Sequence, residues 1–187
     1  MDEFSYLSVL LSLILGLAVT QILTGFRGLL LSRGRVKLYW PVIAWAALLL
    51  LICFQSWWAM FGMRARQHWS FAQFGMVLLQ TVVTYMVAGL VFPDFVDREI
   101  IDLRQNFYAH RGWFFSLGFT VLVVSVCKDV VLDGVWPHPL NLGFHALFGA
   151  AMLIGAFTAR EWYHKCLIVF GGAIFVLYIG LLFARLQ

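Results

Sequence analysis

The sequence predicts an all-α polytopic membrane protein: one domain of six transmembrane helices, with an amphipathic interfacial helix between the third and the fourth. Three observations predict this fold class. Of the 187 residues, 63% are hydrophobic and 12% are charged, a balance unlike that of a soluble domain. Six runs are apolar over the length of about 20 residues that crosses a bilayer. Tryptophan and tyrosine stand near many ends of these runs, as they do at membrane surfaces. The predicted spans are residues 5–31, 38–62, 70–92, 113–132, 140–159 and 166–185.

The first span carries a small residue at every fourth position, namely Ser8, Ser12, Gly16, Thr20, Thr24, Gly28 and Ser32. Apolar side chains do not drive helix association in lipid, so helices there pack through close backbone approach at small residues. The stripe therefore predicts a closely packed, interior helix. A spacing of four residues exceeds one helical turn and rotates the stripe by about 40° per step. We therefore expect two packing seams, one from Ser8 to Gly16 and one from Thr20 to Gly28.

The second and third spans place polar side chains in apolar helices. The second span has Pro41 in its first turn, where no amide donor is lost, and it contains Gln55. The third span contains Gln80 and Thr84, which are four residues apart and so share a face, with Tyr85 beside them.

A polar stretch over residues 95–111 separates the third and fourth spans. Its apolar residues Val96, Ile100, Leu103 and Phe107 are three or four positions apart, so in a helix they share one face. We expect an amphipathic helix that lies on the membrane surface. It serves either as a connector between the two halves of the bundle or as a docking site for a protein partner.

The fourth span ends at a charged group formed by Lys128, Asp129 and Asp133. The two carboxylates are four residues apart and share a helix face. At the outer mouth of a cavity, such a group could bind a cation or relay protons. The alternative is that the helix simply ends there, with the charges in the headgroup region.

The fifth span carries Asn141 and His145 four residues apart, and Trp162 with Tyr163 marks the boundary before the sixth. A polar side chain in lipid needs a partner that the medium does not offer. The polar faces of these spans therefore either line a shared cavity or hold the helices together through hydrogen bonds. The candidate lining residues are Gln21, Gln55, Gln80, Thr84, Tyr85, Asn141 and His145.

Transport is the function class that this pattern favours: a small channel or transporter for a solute or an ion. The alternative is a non-transporting sensor or accessory subunit that acts through a protein partner. An enzyme is less favoured, because the chain has no Walker-type Gly-Lys-Ser, no Gly-x-Ser-x-Gly and no His-x-x-x-His motif. We expect no cofactor and no metal, since the three scattered cysteines indicate neither a disulfide framework nor a metal site.

The distribution of basic residues sets the expected orientation in the membrane. With the amino terminus outside, the inner segments hold nine of the 13 Lys and Arg residues and the outer segments hold four, which fits the positive-inside rule. We therefore expect a plasma or bacterial-type inner membrane protein with both termini outside. The basic residues do not gather on one face, which argues against nucleic acid as a partner. The expected partners are the lipid bilayer, further copies of the chain, and a protein at residues 95–111.

Overall fold

The computed structural model describes residues 3–66, 68–95 and 100–182, and within these ranges the chain forms six long helices. They are α1 Glu3–Leu31, α2 Trp40–Met60, α3 Phe71–Leu90, α4 Leu103–Asp133, α5 Pro139–Phe157 and α6 Glu161–Leu182. Each is long and apolar enough to cross a membrane. The described part also contains two 3₁₀ helices, Arg33–Arg35 and Phe61–Ala65, and two short strands, β1 Val36–Lys37 and β2 Ile101–Asp102. The predicted all-α membrane fold with six spans is confirmed.

Local sequence signals set the ends of several helices. Ser70 and Gln73 form a capping box at the start of α3: Ser70 Oγ accepts from the Gln73 amide at 3.2 Å, and Gln73 Oε1 accepts from the Ser70 amide at 2.9 Å. Asp102 caps α4 by accepting from the Gln105 amide at 3.0 Å. Gly134 ends α4 with a φ of 71°, a left-handed conformation that favours glycine.

Contacts between the loops define two ends of the bundle. At one end Arg66, which follows α2, pairs with Asp133 of α4 at 2.6 Å; we call this the Arg66 end. At the other end β1 pairs with β2 in parallel, and Arg104 of α4 pairs with Glu161 of α6 at 2.8 Å; we call this the Arg104 end. Successive helices therefore run in opposite directions between the two ends.

α1 packs along α3 through a face that the small-residue stripe did not predict. The buried residues of α1 are Leu11, Leu15, Ala18, Ile22, Gly25 and Leu29. The stripe lies mostly on the outside of the bundle: Ser12, Gly16, Thr20 and Thr24 are exposed, Ser8 and Gly28 are half-buried, and Ser32 is buried. Within the chain, α1 is therefore a peripheral helix rather than the interior one that the stripe predicts.

Two aromatic rings explain how α1 is turned about its axis. The ring of Phe92 lies against Gly25, and the ring of Phe95 lies against Gly28. These contacts fix the rotation of α1 at the Arg104 end. Toward the other end of the helix, a residue faces α3 every three or four positions, and these residues are leucine, isoleucine and alanine. The small residues that precede Gly28 in the stripe rotate away from α3, because a spacing of four does not follow a 3.6-residue turn.

α4 replaces the predicted interfacial helix. It runs without a break from Leu103 to Asp133, so a separate helix over residues 95–111 is wrong for the described part of that range; Val96 lies outside the described residues. Phe107, Phe114 and Phe115 are all buried at spacings of seven and eight, which is one continuous helix face. At 1.5 Å per residue the helix is about 46 Å long. It therefore extends past a hydrocarbon core of about 30 Å.

Candidate functional site

Two neighbouring cavities, which share six lining residues, lie between α2, α3, α4, α5 and α6. The larger opens at the Arg66 end, has a volume of about 610 Å³ and is lined by polar and apolar residues in similar proportion; we call it the vestibule. The smaller lies deeper, has a volume of about 130 Å³ and is lined mainly by apolar side chains; we call it the aromatic cavity. The residues that line both cavities, which we call the polar belt, are Gln55, Ser56, Gln80, Thr84, Ser125 and Tyr178.

The polar belt offers hydrogen-bonding groups that the protein itself does not use. Among the described residues, the side-chain amides of Gln55 and Gln80 and the hydroxyls of Ser56 and Ser125 have no hydrogen-bond partner. Thr84 differs, because its Oγ1 donates to the Gln80 carbonyl oxygen one turn earlier at 2.8 Å. Four groups of the belt are therefore free to bind water or a solute.

The charges of the vestibule are paired with one another. Arg66 donates from Nη2 to Asp133 Oδ1 at 2.6 Å and from Nη1 to the Leu132 carbonyl oxygen at 2.7 Å. Lys128 Nζ lies 3.2 Å from Asp129 Oδ1, and the two side chains are 14% and 26% exposed. Two cations and two carboxylates thus neutralise each other within contact distance. The vestibule presents polar surface without net charge.

Asn141, His145 and Tyr178 connect α5 to α6 at the junction of the two cavities. Tyr178 Oη donates to Asn141 Oδ1 at 3.2 Å. His145 Nδ1 lies 2.9 Å from the Asn141 carbonyl oxygen, and since a carbonyl only accepts, Nδ1 carries the proton in this bond. His145 lines the aromatic cavity, whereas Asn141 lines the vestibule.

A buried aromatic cluster closes the cavities toward the Arg104 end. We call it the aromatic plug, and its members are Trp45, Phe107, Phe114, Phe115 and His164. Trp45 and Phe114, which line the aromatic cavity, meet edge to face with ring centroids 5.4 Å apart. Behind them Phe115 stacks on His164 at 5.2 Å, and both residues are 0% exposed. His164 Nε2 donates to the Thr158 carbonyl oxygen at 3.0 Å, which ties α6 to the end of α5.

Tyr39 and Tyr108 flank the plug at the Arg104 end. Their hydroxyls are 3.3 Å apart, and Tyr39 is buried. Burial, together with this hydrogen bond, raises the pKa of Tyr39 above its ordinary value. A tyrosine hydroxyl is already neutral at physiological pH, and the raised pKa keeps that of Tyr39 neutral at still higher pH.

The structure brings together most, but not all, of the residues that the sequence marks as candidates. Gln55, Gln80 and Thr84 line both cavities; Asn141 and the charged group Lys128, Asp129 and Asp133 line the vestibule; His145 lines the aromatic cavity. Gln21 and Tyr85 line neither cavity. Instead, Gln21 Nε2 donates to Tyr85 Oη at 3.4 Å, between α1 and α3.

Sequence reasoning missed several residues of the site. Ser125 precedes Asp129 by four positions, so helical spacing from the charged group could have found it. Arg66 and Tyr178 have no such signal, because each reaches the site from a different helix or loop. Within the described residues, no group of three or more His, Cys, Asp or Glu is placed to hold a metal ion. Cys53, Cys127 and Cys166 are all free thiols.

No protein-family model, no curated protein and no solved structure matches this chain. The fold and the cavities therefore define the class: a six-helix membrane protein with a polar cavity that opens at one end of the bundle and is closed by aromatic residues before the other.

Proposed function

We propose that the protein is a membrane carrier that takes up a small solute at the Arg66 end and releases it at the Arg104 end. One observation supports this proposal above the others: the vestibule and the aromatic cavity share the polar belt as a common wall, and the aromatic cavity ends at Trp45 and Phe114 of the buried plug. A channel needs a continuous path when it is open, whereas a carrier exposes its site to one side at a time. Of the two transport functions that the sequence favours, the geometry supports the carrier.

The proposed cycle requires the plug to part, and the ties that hold the Arg104 end closed are weak enough for this. Glu161 of α6 pairs with Arg104 of α4 at 2.8 Å, whereas its second pair, with Lys165, lies within α6 and ties no elements together. The side chains of Arg104 and Glu161 are 59% and 35% exposed, and ion pairs as exposed as this one contribute little to stability. The β1–β2 contact covers two residues on each strand. Opening at this end therefore breaks few strong interactions outside the plug itself.

We place the Arg66 end outside a plasma or bacterial-type inner membrane, with both termini on that side. The distribution of charge supports this orientation. The Arg104 end carries the basic loop Arg33–Arg35 as well as Lys37, Arg104, Arg111 and Arg160. The opposite end carries Arg64, Arg66 and Lys128. Positive charge concentrates on the inner side of membrane proteins.

Cysteine accessibility tests the carrier proposal without knowledge of the solute. The background variant replaces Cys53, Cys127 and Cys166 with alanine, and Ser125→Cys then places one thiol in the polar belt. A membrane-impermeant maleimide is applied to either side of sealed vesicles. A carrier is expected to label rapidly from the Arg66 side and, at least tenfold more slowly, from the Arg104 side.

Two control variants calibrate the labelling. Ile100→Cys, at a residue that is 64% exposed near the Arg104 end, reports that side alone. Leu17→Cys, at a 55% exposed position on the outer face of α1, faces lipid and should not label. Labelling of Ser125→Cys from the Arg66 side alone would contradict the carrier and favour a membrane sensor or accessory subunit. Absence of labelling from both sides would show that the cavity holds no water.

We also propose that copies of the chain associate in the membrane. The exposed residues Ser12, Gly16, Thr20 and Thr24 on α1 support this, because small residues allow close approach between helices in lipid. Gly16→Leu should then reduce the molecular mass measured by light scattering in mild detergent, whereas Gly172→Leu on α6 should not. A protein partner at residues 95–111 has less support, since Phe107 lies inside the plug and only Ile100 of the predicted apolar face is exposed among the described residues.

A further inference from the structure

We infer that the solute is an uncharged amphiphile with one ring-sized apolar end and a hydrogen-bonding head, a class that includes phenols and ring-bearing alcohols and amides. The apolar end would occupy the aromatic cavity and the head would bind the polar belt. This inference rests on the proposed function only in treating the bound molecule as a transported solute. The binding site itself follows from the two cavities.

The volume of the aromatic cavity limits the apolar end. It measures about 130 Å³, and an apolar protein cavity of about 150 Å³ is known to accept benzene. One six-membered ring therefore fits, whereas a long acyl chain does not. The aromatic walls suit a flat guest, because aromatic rings attract each other in edge-to-face and offset arrangements. These walls are formed by Trp45, Phe114, Phe144, Phe148 and Phe175.

The head must meet the polar belt, and the belt favours an uncharged group. The amides of Gln55 and Gln80 both donate and accept, and they have no partner in the described part of the chain. The neighbouring charges are already neutralised in the pairs Arg66–Asp133 and Lys128–Asp129. An ionic head would lose its hydration and would have to break one of these pairs. A hydroxyl or an amide instead gains bonds without displacing any.

A matched set of one-ring probes tests the inference on the purified full-length protein in mild detergent. The probes are p-cresol, toluene, 4-methylbenzoate and 4-methylbenzylammonium, which share the ring and differ in the head. Binding is measured by isothermal titration calorimetry. We expect p-cresol to bind at least tenfold more tightly than each of the other three. Gln80→Leu should reduce the affinity for p-cresol to that for toluene.

A pair of tryptophan variants on α4 excludes partition into the detergent. Val121→Trp fills the aromatic cavity that Val121 lines, whereas Val123→Trp lies on the exposed side of the same helix, where Val123 is 44% exposed. Both must elute as monodisperse protein. Loss of p-cresol binding in Val121→Trp but not in Val123→Trp supports the site. Equal binding by the two variants overturns it.

The outcomes separate this inference from the carrier proposal. Binding of 4-methylbenzoate or 4-methylbenzylammonium as tight as that of p-cresol overturns the uncharged head. Binding of toluene as tight as that of p-cresol overturns recognition of the head altogether. If no probe binds but Ser125→Cys labels from both sides, the solute class is wrong and the carrier stands. If p-cresol binds as expected but labelling comes from one side alone, the binding site stands and the carrier fails.

Discussion

Gly25 of α1 gives the sharpest test of how the bundle is packed. An added Cβ at this position would overlap three atoms of the Phe92 ring, Cγ, Cδ2 and Cε2. The ring cannot move freely, because Phe92 is 9% exposed and contacts Phe26 edge to face at 5.2 Å and Phe95 at 6.4 Å. At Gly16, by contrast, an added Cβ meets nothing within 4 Å. Gly25→Ala and Gly16→Ala thus form a matched pair on one helix.

The expected difference between the two variants follows from the packing. Carbon atoms attract best at about 3.5 to 4.0 Å, and the new Cβ at Gly25 would lie well inside that range. Forcing an extra carbon into a packed core costs about 1 to 3 kcal/mol. Replacing glycine by alanine within a helix also gains about 0.5 to 1 kcal/mol, but both variants share this gain. Gly25→Ala should therefore be about 1 to 3 kcal/mol less stable than Gly16→Ala.

Unfolding in mixed micelles with increasing dodecyl sulfate, followed by circular dichroism, measures this difference. In a Phe92→Leu background the cost of Gly25→Ala should fall by at least 1 kcal/mol, about the coupling that residues in contact show. Equal stability of Gly25→Ala and Gly16→Ala would refute the packing of α1 on Phe92. A larger loss for Gly16→Ala would mean that the small-residue stripe is the true packing face.

Three further predictions concern the site and the helices that hold it, and each is tested by thermal unfolding in detergent. Lys128→Met should lower the free energy of unfolding by about 1 to 3 kcal/mol, between the values for exposed and buried ion pairs. Adding Asp129→Asn should recover part of this loss, and a double variant less stable than Lys128→Met would contradict the pairing. Tyr178→Phe should lower the free energy of unfolding by about 0.6 kcal/mol, the average for a hydrogen bond between membrane helices. An unchanged midpoint of thermal unfolding would argue against the bond to α5. Gly134→Ala should lower the free energy of unfolding by about 1 to 2 kcal/mol because of the positive φ, whereas Gly143→Ala, whose added Cβ meets nothing within 4 Å inside α5, should raise it by about 0.5 to 1 kcal/mol.

The polar belt shows how far sequence reasoning reaches into the site. Gln55, Gln80 and Thr84 could be marked from the sequence, because a polar side chain in an apolar span stands out without knowledge of its neighbours. Tyr178 could not be singled out in this way, since a lone hydroxyl is common in membrane helices and becomes part of a site only when other helices face it. Ser125 is marked only by its spacing of four residues from Asp129. Gln21 met the same sequence criterion as Gln55, yet it faces Tyr85 instead of the cavity.

The sequence by itself determined the number of spans and several of their ends. Hydropathy over about 20 residues and caps such as Ser70 with Gln73 act within one or a few turns, so the local sequence is sufficient for them. It could not determine how each helix is turned about its axis. In lipid an apolar face has no preferred side, so rotation is decided by contacts with distant parts of the chain.

Tertiary structure alone decided the features on which the proposed function depends. Phe92 on Gly25 sets the rotation of α1. The aromatic plug joins Trp45, Phe115 and His164 from three helices, and it closes the cavity at one end. The physical reason is the same in both cases: close packing between residues far apart in the chain selects one arrangement among many that the apolar composition would allow.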